Sequence, residues 1–297
     1  MKLGFIGFGE AAFELSTGLK GEGMEHILAF DPVWNHPTFG SLVQQRARLA
    51  QVELLTTPEE VLGQVNILFV AVPANKALEV SESLKPFLKK DSIYVDVSAS
   101  APDVKRKIQK NIQEKGVSFV DAAMMGPLPV YKHKVPILAS GDGTDALMTT
   151  LSPYGMEISK VSDNPGDASA VKLIRSIYMK GVAALFIELL EAAHEFNVDE
   201  LVIGSISETM NGRSFEQTMN RLVTGTSIHA LRRSIELEGS IDMLESSKIN
   251  SLMSKAARDK LRLLAECNLK EKFQGNDPRA LVRRYSFNER SLNENIL

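Results

Sequence analysis

The sequence predicts an α/β chain in two parts, an open, mainly parallel sheet wound with helices followed by an all-α domain. Three observations carry that prediction. Short apolar runs alternate with helical patterns through the first half, the rhythm of βαβ units. A glycine-rich turn directly follows the first apolar run. From about Gly166 the β-like runs stop, and only a spacing of three and four remains.

The strand candidates in order are Lys2–Ile6, His26–Phe30, Asn66–Val72, Ser92–Val97, Val117–Asp121 and Val135–Ser140, with helices or turns between them. Ser162-Asp163-Asn164-Pro165-Gly166 supplies a break and then a helix start, so the expected domains are residues 1–163 and 164–297. Apolar residues then recur at Val171, Ile174, Tyr178, Val182, Leu185 and Leu189. Helical patterns continue to the end, punctuated at Asn211-Gly212, Gly225 and Gly239.

Composition narrows the function classes. Of 297 residues, 44% are apolar and 24% charged, values of a folded globular chain rather than a disordered one. With 34 basic and 37 acidic residues the formal charge is −3, without the basic surplus of a nucleic-acid-binding surface. No nucleic-acid partner is expected. The single cysteine, Cys267, excludes an intrachain disulfide and a cysteine-rich zinc site, which suits a reducing, cytoplasmic compartment. The apolar run at the N-terminus is too short for a signal peptide, and the longest, Val182–Leu190, is broken by Glu188, so no membrane span is expected. The five histidines are scattered without ligand spacing, and no metal is expected.

Gly7-Phe8-Gly9-Glu10-Ala11-Ala12 follows a strand and opens a helix, the context a dinucleotide fingerprint requires. Gly7 permits the tight turn, Gly9 lets the backbone approach a pyrophosphate, and Ala12 lets helix and strand pack closely. The helix N-terminus offers free N–H groups and the positive end of its dipole to the phosphates. Asp31, 24 residues after Gly7, ends the second strand where a carboxylate can take both ribose hydroxyls and repel a 2′-phosphate. No arginine follows in Pro32-Val33-Trp34-Asn35, so NAD is favoured over NADP. The first part therefore reads as a Rossmann dinucleotide-binding domain. Val72 and Pro73 end a later strand at the cofactor crevice, and Ser98 lies in the next such turn. Ser98 can donate to a bound carboxylate or to the nicotinamide amide, or serve as an ordinary turn or capping serine.

Ser169, Lys172, Ser176 and Lys180 share one helix face, away from the apolar stripe. If that helix crosses the mouth of the crevice, Lys172 can reach the substrate oxygen at the carbon exchanging hydride. Removing hydride from an alcohol leaves a proton to be taken by a general base. Burial or a cationic neighbour must lower a lysine's pKa for that work, and Lys180 and Arg175 are candidate neighbours. The competing reading is a solvated charged face. Further on, His229, Arg232, Arg233 and Glu236 follow the same spacing; they can clamp a carboxylate or phosphate, or form an interdomain or dimer salt-bridge network. His229 is an alternative acid or base.

Phe119-Val120-Asp121-Ala122-Ala123-Met124-Met125-Gly126-Pro127 resembles the substrate-binding segment of the β-hydroxyacid dehydrogenases, and Gly166-Asp167-Ala168-Ser169-Ala170-Val171-Lys172 resembles the start of their catalytic helix. The second half, with Arg175–Gly181 and Ser227–Arg233, is similar to a subgroup whose C-terminal domain is phosphogluconate-dehydrogenase-like. The resemblance implies a Rossmann domain, an all-helical domain that builds a homodimer, and oxidation of a hydroxy acid or reduction of its keto form. It implies catalytic roles for Lys172 and Ser176 and substrate contacts from Ser98 and Gly126. The chain departs from the family's pattern in two places. The usual Ser-Gly-Gly is here Met125-Gly126-Pro127, and the usual asparagine one turn after the lysine is Ser176.

The expected function is an NAD(P)-dependent dehydrogenase of a small anionic hydroxy acid or sugar acid. The alternatives are an oxidative decarboxylase of the phosphogluconate type, an imine reductase, and a catalytically silent NAD-binding sensor or scaffold. Lys132-His133-Lys134 reads as a solvated turn, Cys267 as core packing and Trp34 as a flank for adenine or a packing aromatic. Met124 and Met125 read as pocket-shaping or gap-filling residues. Arg283–Asn288 is read as a segment packing across the dimer.

Overall fold

The computed structural model describes residues 2–267, so Arg283–Asn288 lies outside the described residues. The chain divides into two compact units, Met1–Ile177 and Tyr178–Leu297.

The first unit is built on an eight-stranded sheet in the order β3-β2-β1-β4-β5-β6-β7-β8. Its strands are β1 (Lys2–Ile6), β2 (His26–Phe30), β3 (Glu53–Leu54), β4 (Ile67–Val70), β5 (Ile93–Asp96), β6 (Ser118–Met124), β7 (Ile137–Ser140) and β8 (Ile158–Ser162). All pairs are parallel except β6 with β7. The six expected strands are all present; β4, β5 and β7 are shorter by one or two residues at an end, while β6 starts one residue late and runs on to Met124. Two strands went unread. β3 has only two residues, and β8 is an edge strand with little burial, so neither carries a clear apolar period.

Helices α1 (Glu10–Gly21), α2 (Gly40–Leu49), α3 (Pro58–Leu62), α4 (Ala77–Leu84), α5 (Pro102–Ile112), α6 (Leu128–Tyr131) and α7 (Thr144–Leu151) connect the strands. Leu3, Phe5 and Phe69 join Leu15 and Leu19 in one buried cluster, while Val70, Tyr94 and Phe119 join Leu84, Ile108 and Ile112 in another. A sheet buried on both faces explains why its central strands read as continuous apolar runs.

The helices that follow are α8 (Asp167–Glu195), α9 (Asp199–Asn211), α10 (Phe215–Ile228), α11 (Ala230–Ser246) and α12 (Leu252–Glu266). The expectation that strands cease after Gly166 is met throughout the described residues. Of the expected punctuation, Asn211-Gly212 does end α9, but Gly225 and Gly239 lie inside α10 and α11. The break falls at His229, which separates α10 from α11. Within the helical unit, Glu188 accepts the N–H groups of Met253 and Ser254 and so caps α12 from another helix. Cys267 is buried, as its apolar helix face implies. Among the described residues no helix is long and apolar enough to cross a membrane.

His133 corrects the reading of residues 132–134 as a solvated turn. Its ring is buried against α1, where a β-carbon added to Gly18 would lie 1.9 Å from His133 Nδ1. His133 Nε2 sits 3.6 Å from Glu22, and only the flanking lysines reach solvent. Three polar residues in a row look like surface; the absent side chain at Gly18 makes the pocket that takes the middle one.

Candidate active site

The strand order reverses between β1 and β4, and in open α/β sheets ligands bind beyond the strand ends at such a point. The turn after β1 has the shape a dinucleotide needs. Gly7 has φ +84°, and a β-carbon there would meet the Ala71 carbonyl oxygen at 2.4 Å, so both conformation and proximity require glycine. A β-carbon on Gly9 would meet nothing within 4 Å, and Gly9 caps α1 without a side-chain hydrogen bond. The space over Gly9 at the start of α1 is therefore open, which fits a pyrophosphate at the helix N-terminus. Phe8 and Ala12 are fully buried, Ala11 is half-buried and Glu10 is exposed in the first turn.

Asp31 ends its strand beside this turn. Its Oδ2 accepts the Phe8 N–H at 2.7 Å and its Oδ1 accepts the Val33 N–H at 2.9 Å, fixing the carboxylate and leaving each oxygen acceptor capacity for a ribose diol. Trp34 is half-buried against the core. Val72 is half-buried and Pro73 exposed after β4, with the Val72 side chain near Gly7.

Where the parallel β5–β6 ladder ends, its register sets Asp96, the last residue of β5, beside Asp121 in the middle of β6. Both are fully buried, and two adjacent carboxylates in a low dielectric repel strongly. Lys105 of α5 lies between them, itself fully buried, with Nζ 3.3 Å from Asp96 Oδ1 and 3.2 Å from Asp121 Oδ1. Lys105 Nζ also donates to the carbonyl oxygens of Asp96 at 3.1 Å and Ser98 at 2.9 Å. The Ser98 hydroxyl is buried in the same network, 2.7 Å from Ser100 Oγ. Ser98, expected to face the ligand, is thus tied to the protein by its own partners.

Asp121 also begins α8. Its Oδ2 accepts the Ser169 N–H at 2.8 Å, its Oδ1 accepts the Ser169 hydroxyl at 2.6 Å, and Ser140 Oγ accepts the Ala168 N–H at 3.0 Å. The first turn of α8 is therefore capped by side chains of β6 and β7, satisfying N–H groups that the helix cannot satisfy itself. One turn on lies Lys172, half-buried. Burial lowers its pKa, the Lys105 ammonium lowers it further, and Asp121 opposes both. The neighbour that matters is Lys105, where the sequence pointed to Arg175 and Lys180; those two are exposed. Ser176 is half-buried one further turn along.

Lys105 escaped the sequence reading because it stands among charges, in Asp103-Val104-Lys105-Arg106-Lys107. One signal was available. Lys105, Ile108 and Ile112 fall at spacings of three and four, so the lysine occupies a core position of an amphipathic helix.

Met124 is the last residue of β6, and Met125 and Gly126 follow it. Gly126 is half-buried beside Tyr131, and the Met125 N–H donates to the Pro136 carbonyl. In the helical unit His229 does not share a helix face with the arginines, because it lies at the α10–α11 junction and is exposed. Arg232 pairs with Glu236 at 3.4 Å. Arg232, Arg233, Glu236 and Lys260 do line one cleft of about 690 Å³. No group of three metal-ligating side chains occurs among the described residues.

The switch-point cradle, the fixed acidic residue and the helical C-terminal unit define an NAD-binding Rossmann oxidoreductase. The family model for the NAD binding domain of 6-phosphogluconate dehydrogenase matches residues 2–154, and a domain of unknown function matches residues 193–264. The chain belongs to this β-hydroxyacid dehydrogenase-like family. Among relatives, it is 24% identical to a 2-(hydroxymethyl)glutarate dehydrogenase of Eubacterium barkeri over 72% of this chain and 71% of that one. It is 26% identical to the mitochondrial 3-hydroxyisobutyrate dehydrogenase of Drosophila melanogaster over 75% and 68%. Among solved structures, a conserved protein of unknown function described as similar to 3-hydroxyacid dehydrogenases is 31% identical, with TM-score 0.61 over 91% of this chain and 99% of that one. An imine reductase from Myxococcus stipitatus superposes with TM-score 0.74 over 96% and 98% but is 16% identical, a likeness of fold alone.

Proposed function

We propose that the protein transfers hydride between a nicotinamide cofactor and the hydroxyl-bearing carbon of a small anionic hydroxy acid or sugar acid, with Lys172 as the general acid and base. The observation that carries this reading is Lys172, half-buried one turn after the Asp121-capped start of α8, where the Lys105 ammonium acts on its amine. The family relationship supports the hydride chemistry, which a nicotinamide cofactor would supply when held by the Gly7–Ala12 turn and Asp31. In the oxidative direction neutral Lys172 takes the hydroxyl proton as the carbon loses hydride, leaving a keto group and a lysine ammonium. In reverse the ammonium returns that proton to the oxygen.

In this reading residues 1–163 hold the cofactor, and residues 164–297 supply Lys172, Ser176 and a homodimer surface. Gly7–Ala12 cradle the pyrophosphate, Asp31 takes the adenosine ribose and favours NAD over NADP, and Val72, Pro73 and Ser98 border the nicotinamide. Gly126 is the proposed contact for the anionic substrate.

The test is nicotinamide reduction across a panel of hydroxy acids, sugar acids and their phosphates, with wild type and Lys172→Ala. Loss of a general base costs roughly 10²–10⁴-fold in turnover, and NADH binding, read by fluorescence, stays intact. The oxidative rate of wild type rises with pH as Lys172 deprotonates, over a range below that of an ordinary lysine. Unchanged turnover in Lys172→Ala defeats the assignment.

A further inference from the structure

We propose that Lys105 is a positioning residue for Lys172: it locks Asp121, and through Asp121 the first turn of α8, and sets a second buried positive charge beside the Lys172 amine. This rests on the reading of Lys172 as the acid and base.

The geometry runs in one continuous path. The Lys105 ammonium bridges the two carboxylates that the β5–β6 register brings together, and it holds the β5 turn through the carbonyls of Asp96 and Ser98. Asp121 spends both oxygens on Ser169, the residue three before Lys172 on the same helix face. Movement of Asp121 therefore moves the root of the turn that carries Lys172. A lysine kept fully out of water loses hydration that its partners must replace, and such a group in a buried charge network is costly to build for packing alone. A methionine would fill the same apolar position without that cost.

The charges that act on Lys172 come from two elements packed against it. Lys105 on α5 opposes its protonation, Asp121 on β6 favours it, and desolvation adds to the first. With Lys105 present the buried set holds two carboxylates and one ammonium. Without Lys105 both carboxylates lose their ion-pair partner, and the attraction of Asp121 for the Lys172 ammonium is no longer opposed. Loss of Lys105 thus moves Lys172 toward an ordinary lysine or beyond, and the neutral base becomes scarcer at any given pH.

The test reads Lys172 directly, without substrate or cofactor. Full-length protein is trace-labelled with acetic anhydride across a pH series, and the Lys172 peptide is quantified by mass spectrometry. Wild type is compared with Lys105→Met/Asp96→Asn, which removes one charge of each sign, and with Asp96→Asn alone. The expected result is a Lys172 titration below the ordinary lysine range in wild type, little moved by Asp96→Asn and shifted to higher pH in the double variant. Lys105→Gln keeps an amide donor for the two carbonyls and serves where the double variant does not fold. A Lys172 titration unmoved in a folded variant overturns the proposal, as does a wild-type titration in the ordinary range. Failure of both variants to fold also overturns it, in favour of a purely structural cross-link. Where turnover survives in Lys172→Ala, the acid–base reading falls while the labelling result still decides the role of Lys105.

Discussion

Asp31 does two things with one carboxylate. It satisfies the Phe8 and Val33 N–H groups inside the protein, and its charge faces the site expected for the adenosine ribose. A 2′-phosphate brought to that position meets an anion, so the residue acts on cofactor choice mainly by repulsion. Replacing Asp31 by serine is expected to raise the ratio of NADPH to NADH affinity about tenfold or more, equivalent to roughly 1.4 kcal/mol. Fluorescence titration with both cofactors measures it, and an unchanged ratio contradicts the role given to Asp31. The same substitution strands the buried Phe8 N–H at a cost of about 1–3 kcal/mol, which a denaturant melt reads separately.

At the scale of elements, α1 is fixed from outside by the segment 128–134. His133 fills the space over Gly18, so a methyl group there must displace a buried ring. Gly18→Ala is expected to destabilise by about 1–3 kcal/mol even though alanine is the better helix former, because overpacking outweighs propensity. A lowered urea midpoint checks this; a raised one shows that the ring yields freely. Burial also holds the His133 pKa below its ordinary value, with Lys134 and Lys132 adding to that and Glu22 opposing. As pH falls through the ordinary histidine range the unfolded chain takes the proton first, so stability declines until the folded-state pKa is passed. His133→Leu is expected to flatten the fall in urea midpoint between about pH 6.5 and pH 5, above the range where carboxylates dominate.

At the scale of the whole molecule, the described part of the helical unit carries exposed apolar side chains on more than one helix. Ile187 and Leu201 are 60% and 75% exposed, and Phe186, Leu190 and Ile203 add to the same unit's open surface. A helix apolar on several sides is one that something else covers, and a second copy of the chain is the expected cover. Analytical ultracentrifugation of the full chain should give a dimer, and Ile187→Glu should shift it toward monomer or aggregate. A monodisperse monomer from wild type contradicts the proposed homodimer.

The periodicity of the apolar residues, the glycine turn and the position of Asp31 made the Rossmann half and its cofactor turn legible in sequence, because each depends on residues close together in the chain. The shift to helices after Gly166 was legible for the same reason. Lys105 was not, since a lysine in a charged helix acquires its meaning only when strand register sets Asp96 beside Asp121. Nor was the burial of His133, which depends on an absent side chain over a hundred residues earlier. Local chemistry is written along the chain. The charges that tune Lys172 are a product of which strand ends lie side by side, and only tertiary structure decides that.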